Sequence, residues 1–138
     1  MLIMFKVIVE AAGTPGPLLG DGTNTTVTML YPSALTDALD TLGSMQSVIN
    51  SATRRDYSVA RLHLVGIAGN SAAVSWGARD SAIADMIRVE APAAATNSSN
   101  AAPGTPLGFG DRNDINLADI DVDSAENGEG LIVVAEVR

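Results

Sequence analysis

No cysteine occurs in the 138 residues, so neither a disulfide framework nor a thiolate metal site is open to this chain. Histidine occurs once, at His63. A Ser-His-Asp arrangement would have to use that residue, and no Gly-x-Ser-x-Gly elbow accompanies it. Basic residues are sparse as well: Lys6 is the single lysine, and no basic run is longer than Arg54-Arg55. Binding to a phosphate backbone relies on clustered Lys and Arg, so nucleic acid is not an expected partner. Long apolar runs are also missing. The best candidate, residues 1–9, falls well short of the ~20 residues a membrane span needs. Lys6 lies inside that run and Glu10 closes it, the wrong order for a secretory leader, so neither a span nor a leader is expected.

Aromatic residues make up 4% of the chain against 46% hydrophobic residues, so the core has to be filled by Val, Ile, Leu, Met and Ala. Charged residues are 17%, below the usual ~25%. The net charge of −8 therefore sits on a surface made largely of Ser, Thr, Asn, Gly and Ala. The length suits a single domain over residues 1–138.

What the chain does have is two-residue periodicity. Ile3, Phe5, Val7 and Val9 share one face of a first strand, and Ile8 on the other face implies burial on both sides. Residues 12–23 hold Gly13, Pro15, Gly16, Pro17, Gly20 and Gly22 and read as a long turn-rich connection. Residues 25–30, rich in Thr and Val, suit a half-buried strand. Residues 57–67 and 73–76, joined by Gly69-Asn70-Ser71, have the pattern of a hairpin, and residues 87–91 that of a short strand.

One helix is predicted, about residues 34–53, with Ser33 as its cap. Leu35, Leu39, Leu42, Met45, Val48, Ile49 and Ala52 recur there at spacings of three and four. Residues 92–110, mostly Ala, Ser, Asn, Thr, Gly and Pro, are too poor in apolar surface to set their own structure and read as a flexible or arm-like loop.

Half of the sixteen carboxylates fall in the last 28 residues: Asp111, Asp114, Asp119, Asp121, Asp123, Glu126, Glu129 and Glu136. Ile120 and Val122 alternate with Asp119, Asp121 and Asp123, which predicts a strand with one apolar side and one acidic, solvated or partner-facing side. Leu117 is out of phase with Ile120, implying a bulge or tight turn at Ala118. Asn127-Gly128-Glu129-Gly130 reads as a hairpin turn before a last strand, residues 131–137, whose two apolar faces make it central. The fold class that follows is mainly β: a β-sandwich or jelly-roll-like barrel with one α-helix.

Candidate chemistry is thin. Asp119-x-Asp121-x-Asp123 opens like a calcium loop, but Ser124 and Gly130 stand where an EF-hand needs Gly and Glu. A strand would also set the three side chains in a row, not around a point. Trp76 fits a core anchor better than an exposed sugar platform, and His63, between Leu62 and Leu64, fits an outward or interface position. No catalytic, cofactor-binding or metal residue is assigned, and no cofactor is expected.

Beyond residue 55 the chain has an alternating strand, a Gly69-Asn70 turn and a strand ending Val74-Ser75-Trp76-Gly77. A polar stretch follows, and then the run from Ile115 to Asp123 leads through Asn127-Gly128-Glu129-Gly130 to a valine-rich terminal strand. In these features, over about 60% of its length, it resembles small β-sandwich virion structural proteins of bacteriophages and related icosahedral viruses. The resemblance implies a decoration, minor capsid or vertex protein located in the virion. Such a protein is not an enzyme, and its partners are further copies of itself and other capsid proteins. The alternative expectation is a ligand-binding β-module, carbohydrate-dependent through Trp76 or calcium-dependent through Asp119, Asp121 and Asp123.

Overall fold

The computed structural model describes residues 2–31, 58–90, 105–108 and 115–136. The chain is mainly β there. The strands are β1 (Leu2–Val9), β2 (Gly16–Pro17), β3 (Thr25–Tyr31), β4 (Ser58–Val59), β5 (Arg61–Gly66), β6 (Val74–Ala78), β7 (Ile87–Val89), β8 (Thr105–Gly108), β9 (Ile115–Asn116), β10 (Ile120–Ser124) and β11 (Gly130–Glu136). The predicted helix, about residues 34–53, lies outside the described residues, as does most of the expected arm at 92–110. The exception in the arm is β8, which pairs with β5.

Two antiparallel sheets dominate. The larger has the order β3-β1-β11-β5-β8 and the smaller β2-β10-β6-β7, while β4 and β9 form a separate short ladder. Period-two patterning determines which side chains each sheet buries. In β1, Ile3, Phe5, Val7 and Val9 are fully buried while Met4, Lys6 and Ile8 are half-buried on the opposite face. Met29, Leu62, Leu64, Leu131 and Val133 join them from the rest of the larger sheet, and Val74, Val89, Ile120 and Val122 come from the smaller one. These side chains form one cluster, an arrangement consistent with a β-sandwich. Burying each of the larger aliphatic side chains contributes about 1.5–3 kcal/mol. β11 lies between β1 and β5, which is why both its faces are apolar.

The chain changes sheets at nearly every connection, and this corrects two sequence expectations. β5 belongs to the larger sheet and β6 to the smaller, so the segments joined by Gly69-Asn70-Ser71 are not a hairpin. Neither are β10 and β11 around Asn127-Gly128-Glu129-Gly130. The turn residues do mark reversals, but a reversal does not determine which sheet the next strand enters. Here the strand after each turn buries its apolar face from the opposite side of the shared core. Residues 12–23 are also more than a connection: they carry β2 and the buried pair Leu18 and Leu19, which belong to the core cluster. At Leu117–Asp119 a 3-10 turn accounts for the phase break, with the Asn116 side chain accepting from the Ala118 N–H at 3.0 Å.

Candidate functional site

The acidic strand is not a solvated face. All five residues of β10 are buried: Asp121 is 6% exposed and Asp123 0%. Because Ile120 and Val122 enter the core, alternation turns Asp121 and Asp123 to the outer side of the smaller sheet, where loops fold over them. Asp123 Oδ1 accepts from the Gly13 N–H at 2.9 Å and from the Ser124 N–H at 2.8 Å. Asp121 Oδ2 accepts from the Asp80 N–H at 2.9 Å. Asp80 has φ of 65°, the left-handed region that costs a non-glycine residue about 1–2 kcal/mol, so Asp121 braces a strained turn.

Asp119 parts from the other two. It sits in the 3-10 turn, exposed, with Oδ1 3.9 Å from Arg79 Nη2. The physical reason is the break in alternation at Ala118, which removes Asp119 from the strand before the ladder begins.

The opposite strand completes this outer surface. Ser75 pairs with Asp123 across the ladder and Gly77 pairs with Asp121. Ser75 is buried, and Met86 lies so close over Gly77 that a Cβ there would stand 3.1 Å from Met86 Cγ. Beside them opens a groove of about 620 Å³, lined among others by Ser71, Ala73, Ser75, Met86, Arg88 and Glu90. An Arg88–Glu90 ion pair of 3.2 Å stands at its exposed rim.

A third buried carboxylate, Glu129, holds Ser71 of the groove's lining. It accepts from both the N–H and the hydroxyl of Ser71. Its neighbour Gly130 exchanges two hydrogen bonds with the Asn70 side chain. Carboxylates that the sequence presents as a surface feature are thus used to fix loops across the molecule.

Asp21 does the same work locally. Its Oδ1 accepts from the N–H groups of Thr23, Asn24 and Thr25 at 2.8, 2.7 and 3.1 Å. Partial burial raises its pKa, but those three bonds, with its own N–H, outweigh it and hold the carboxyl below the ordinary aspartate value.

The other candidates do not converge. His63 lies on the outer face of the larger sheet, opposite Val134, while Leu62 and Leu64 enter the core. Trp76 packs against the core with Nε1 buried and unpartnered, which is not the exposed face a sugar platform needs. Among the described residues no three of His, Asp and Glu gather as a metal-binding group. No helix among the described residues is long and apolar enough to cross a membrane.

Sequence reading missed the loop-fixing roles of Asn70, Ser71, Asp80 and Glu129, because partners 41 to 60 residues apart leave no local pattern. Asp21 had a signal, since Asp followed by Gly, Thr and Asn is turn chemistry in which a carboxylate bonds its own following backbone. Comparison with known protein families, with characterised proteins and with solved structures finds no match to this chain.

Proposed function

We propose that the protein is a non-enzymatic structural subunit of a virion, of decoration, minor capsid or vertex type, acting by oligomerising and bridging neighbouring capsid subunits. A jelly-roll-like sandwich is the fold that goes with this reading. The observation that carries it is a patch at one end of the larger sheet, where Leu2, Leu30 and Tyr31 are 44%, 39% and 51% exposed. Tyr31 pairs with Met4, two residues along β1 from Leu2, and Leu30 precedes it, so the three residues stand at one end of the sheet, where the edge strand β3 ends. Large apolar side chains exposed at one end of a sheet suit a contact with a second copy of the chain. Further support comes from the buried carboxylates, which stiffen loops across the molecule.

Light scattering on the purified chain and negative-stain images of its assemblies test the reading. The wild type is expected to form a defined multimer, and Leu30→Ser with Tyr31→Ser is expected to yield monomers with an unchanged circular dichroism spectrum. A wild type that stays monomeric at high concentration, with no particle formed alone or with other capsid proteins, would overturn it.

A further inference from the structure

We propose that Asp121 and Asp123 hold a divalent cation of the calcium class on the outer face of the smaller sheet. Asp123 is fully buried, its Oδ1 is occupied by two backbone N–H groups, and Oδ2 has neither a hydrogen-bond partner nor access to solvent. Two positions along the same strand and on the same face stands a second buried carboxylate, Asp121. Among the described residues no basic side chain pairs with either one, the ion pairs there being Arg61–Glu136, Arg79–Asp119 and Arg88–Glu90. Buried carboxyl oxygens are ordinarily hydrogen-bonded, paired or bound to metal, and one left without a partner is a mark of a missing water or ion. A buried water could donate to Oδ2 alone, whereas a cation can take oxygens of both carboxylates.

The donor set fixes the class. Carboxylates two residues apart on a strand stand about 6.6 Å apart at Cα, a span both side chains can close around an ion with bonds of about 2.3–2.6 Å. Ser75, across from Asp123 in the ladder, stands on the same face and carries a hydroxyl. All the donors are oxygens, the ligand type of a hard cation. An irregular set of two carboxylates completed by hydroxyl and water suits calcium better than magnesium, which demands near-octahedral geometry. Asp119, the first member of the Asp-x-Asp-x-Asp run, takes no part. The site is therefore a sheet-face site and not an EF-hand loop. The bound ion would tie down the two loops that end on these aspartates, around Gly13 and Asp80.

Terbium luminescence on the full chain tests this, because Trp76 pairs with Val122, the residue between the two aspartates, and is close enough to sensitise a bound lanthanide. Excitation of Trp76 is expected to give saturable terbium emission that calcium displaces and equimolar magnesium does not. Calcium is expected to raise the melting temperature by about 5 °C or more. Asp123→Asn keeps an oxygen for the Gly13 and Ser124 N–H groups, so it is expected to fold and to lose both responses, whereas Asp119→Asn is expected to keep them. Emission that persists undiminished in Asp123→Asn would assign terbium to the general acidic surface and overturn the site. So would a wild-type melting temperature unmoved by calcium, a measurement that needs no variant to fold.

Discussion

Asn70 and Gly130 are joined by a reciprocal pair of hydrogen bonds. Asn70 Nδ2 donates to Gly130 O at 2.8 Å, and Gly130 N–H donates to Asn70 Oδ1 at 2.9 Å. A side-chain amide has the same donor and acceptor as a peptide group, so Asn70 acts as one further rung at the start of β11. The rung matters because it lies where β10 of the smaller sheet gives way to β11 of the larger, and no ladder spans that gap. The loop between β5 and β6, which also crosses between the sheets, is thereby tied to the other crossing.

Replacing Asn70 with Ala leaves the N–H of buried Gly130 without its partner, and the expected loss is about 1–3 kcal/mol of unfolding free energy. Asn70→Asp is a sharper probe. Its ionised carboxylate can still accept from the Gly130 N–H but turns an oxygen toward the Gly130 carbonyl, so near neutral pH it should be at least as unstable as Asn70→Ala. Urea denaturation of both variants beside the wild type measures the difference.

Gly130 itself has no room for a side chain. A Cβ there would lie 2.6 Å from Ile8 Cδ1 and from Ile67 Cδ1, and 2.8 Å from Val7 O. The two isoleucine tips can swing aside, but the carbonyl of Val7 belongs to the β1–β11 ladder and cannot. Gly130→Ala is expected to cost about 1–3 kcal/mol through overpacking and to lower the melting temperature correspondingly. Gly69, with open space around its Cβ position, is the control: Gly69→Ala is expected to change stability by less than about 0.5 kcal/mol.

Glu129 separates charge from hydrogen bonding. It accepts from the backbone N–H and the hydroxyl of Ser71, and of those two groups only the hydroxyl can also act as an acceptor. In Glu129→Gln the carboxamide oxygen can take the N–H while the hydroxyl rotates to accept from the new amide, so the expected loss is below about 1 kcal/mol. Glu129→Ala strands both Ser71 groups, with an expected loss of about 1–3 kcal/mol. Thermal melts that order the proteins wild type, Gln variant, Ala variant would bear this out; equal losses in the two variants would mean that the charge carries the interaction.

The parts of this fold that were legible in the sequence are those governed by period two. The face shared by Ile3, Phe5, Val7 and Val9, the central position of β11 and the phase break before Ile120 all follow from alternation within a few residues. Sheet membership was not legible. Gly69-Asn70 and Asn127-Gly128 announce a reversal whether the next strand pairs with the last or crosses to another sheet. The same limit hid the meaning of Asp121 and Asp123. Their alternation with Ile120 and Val122 puts them on the face away from the core, but whether that face meets water or folded loops depends on Gly13 and Asp80, which are remote in sequence.

Asp21 gives the 21–25 turn a dependence on acid whose sign is fixed. Its carboxyl is held below the ordinary value of about 3.9, so the folded state binds that proton less readily than the unfolded chain does. The stabilisation is therefore fully present above about pH 4 and lost as pH falls through the lowered folded value. Asp21 is exposed, so solvent screening keeps the effect below about 1 kcal/mol. Asp21→Asn retains an acceptor for the Thr23, Asn24 and Thr25 N–H groups but cannot titrate. The stability gap between wild type and Asp21→Asn is expected to be constant from pH 5 to pH 7 and to shrink below about pH 4. Denaturant melts at half-unit pH steps would show this, and a gap that stayed flat down to pH 2 would mean that the bonds to Oδ1 do not favour the charged form.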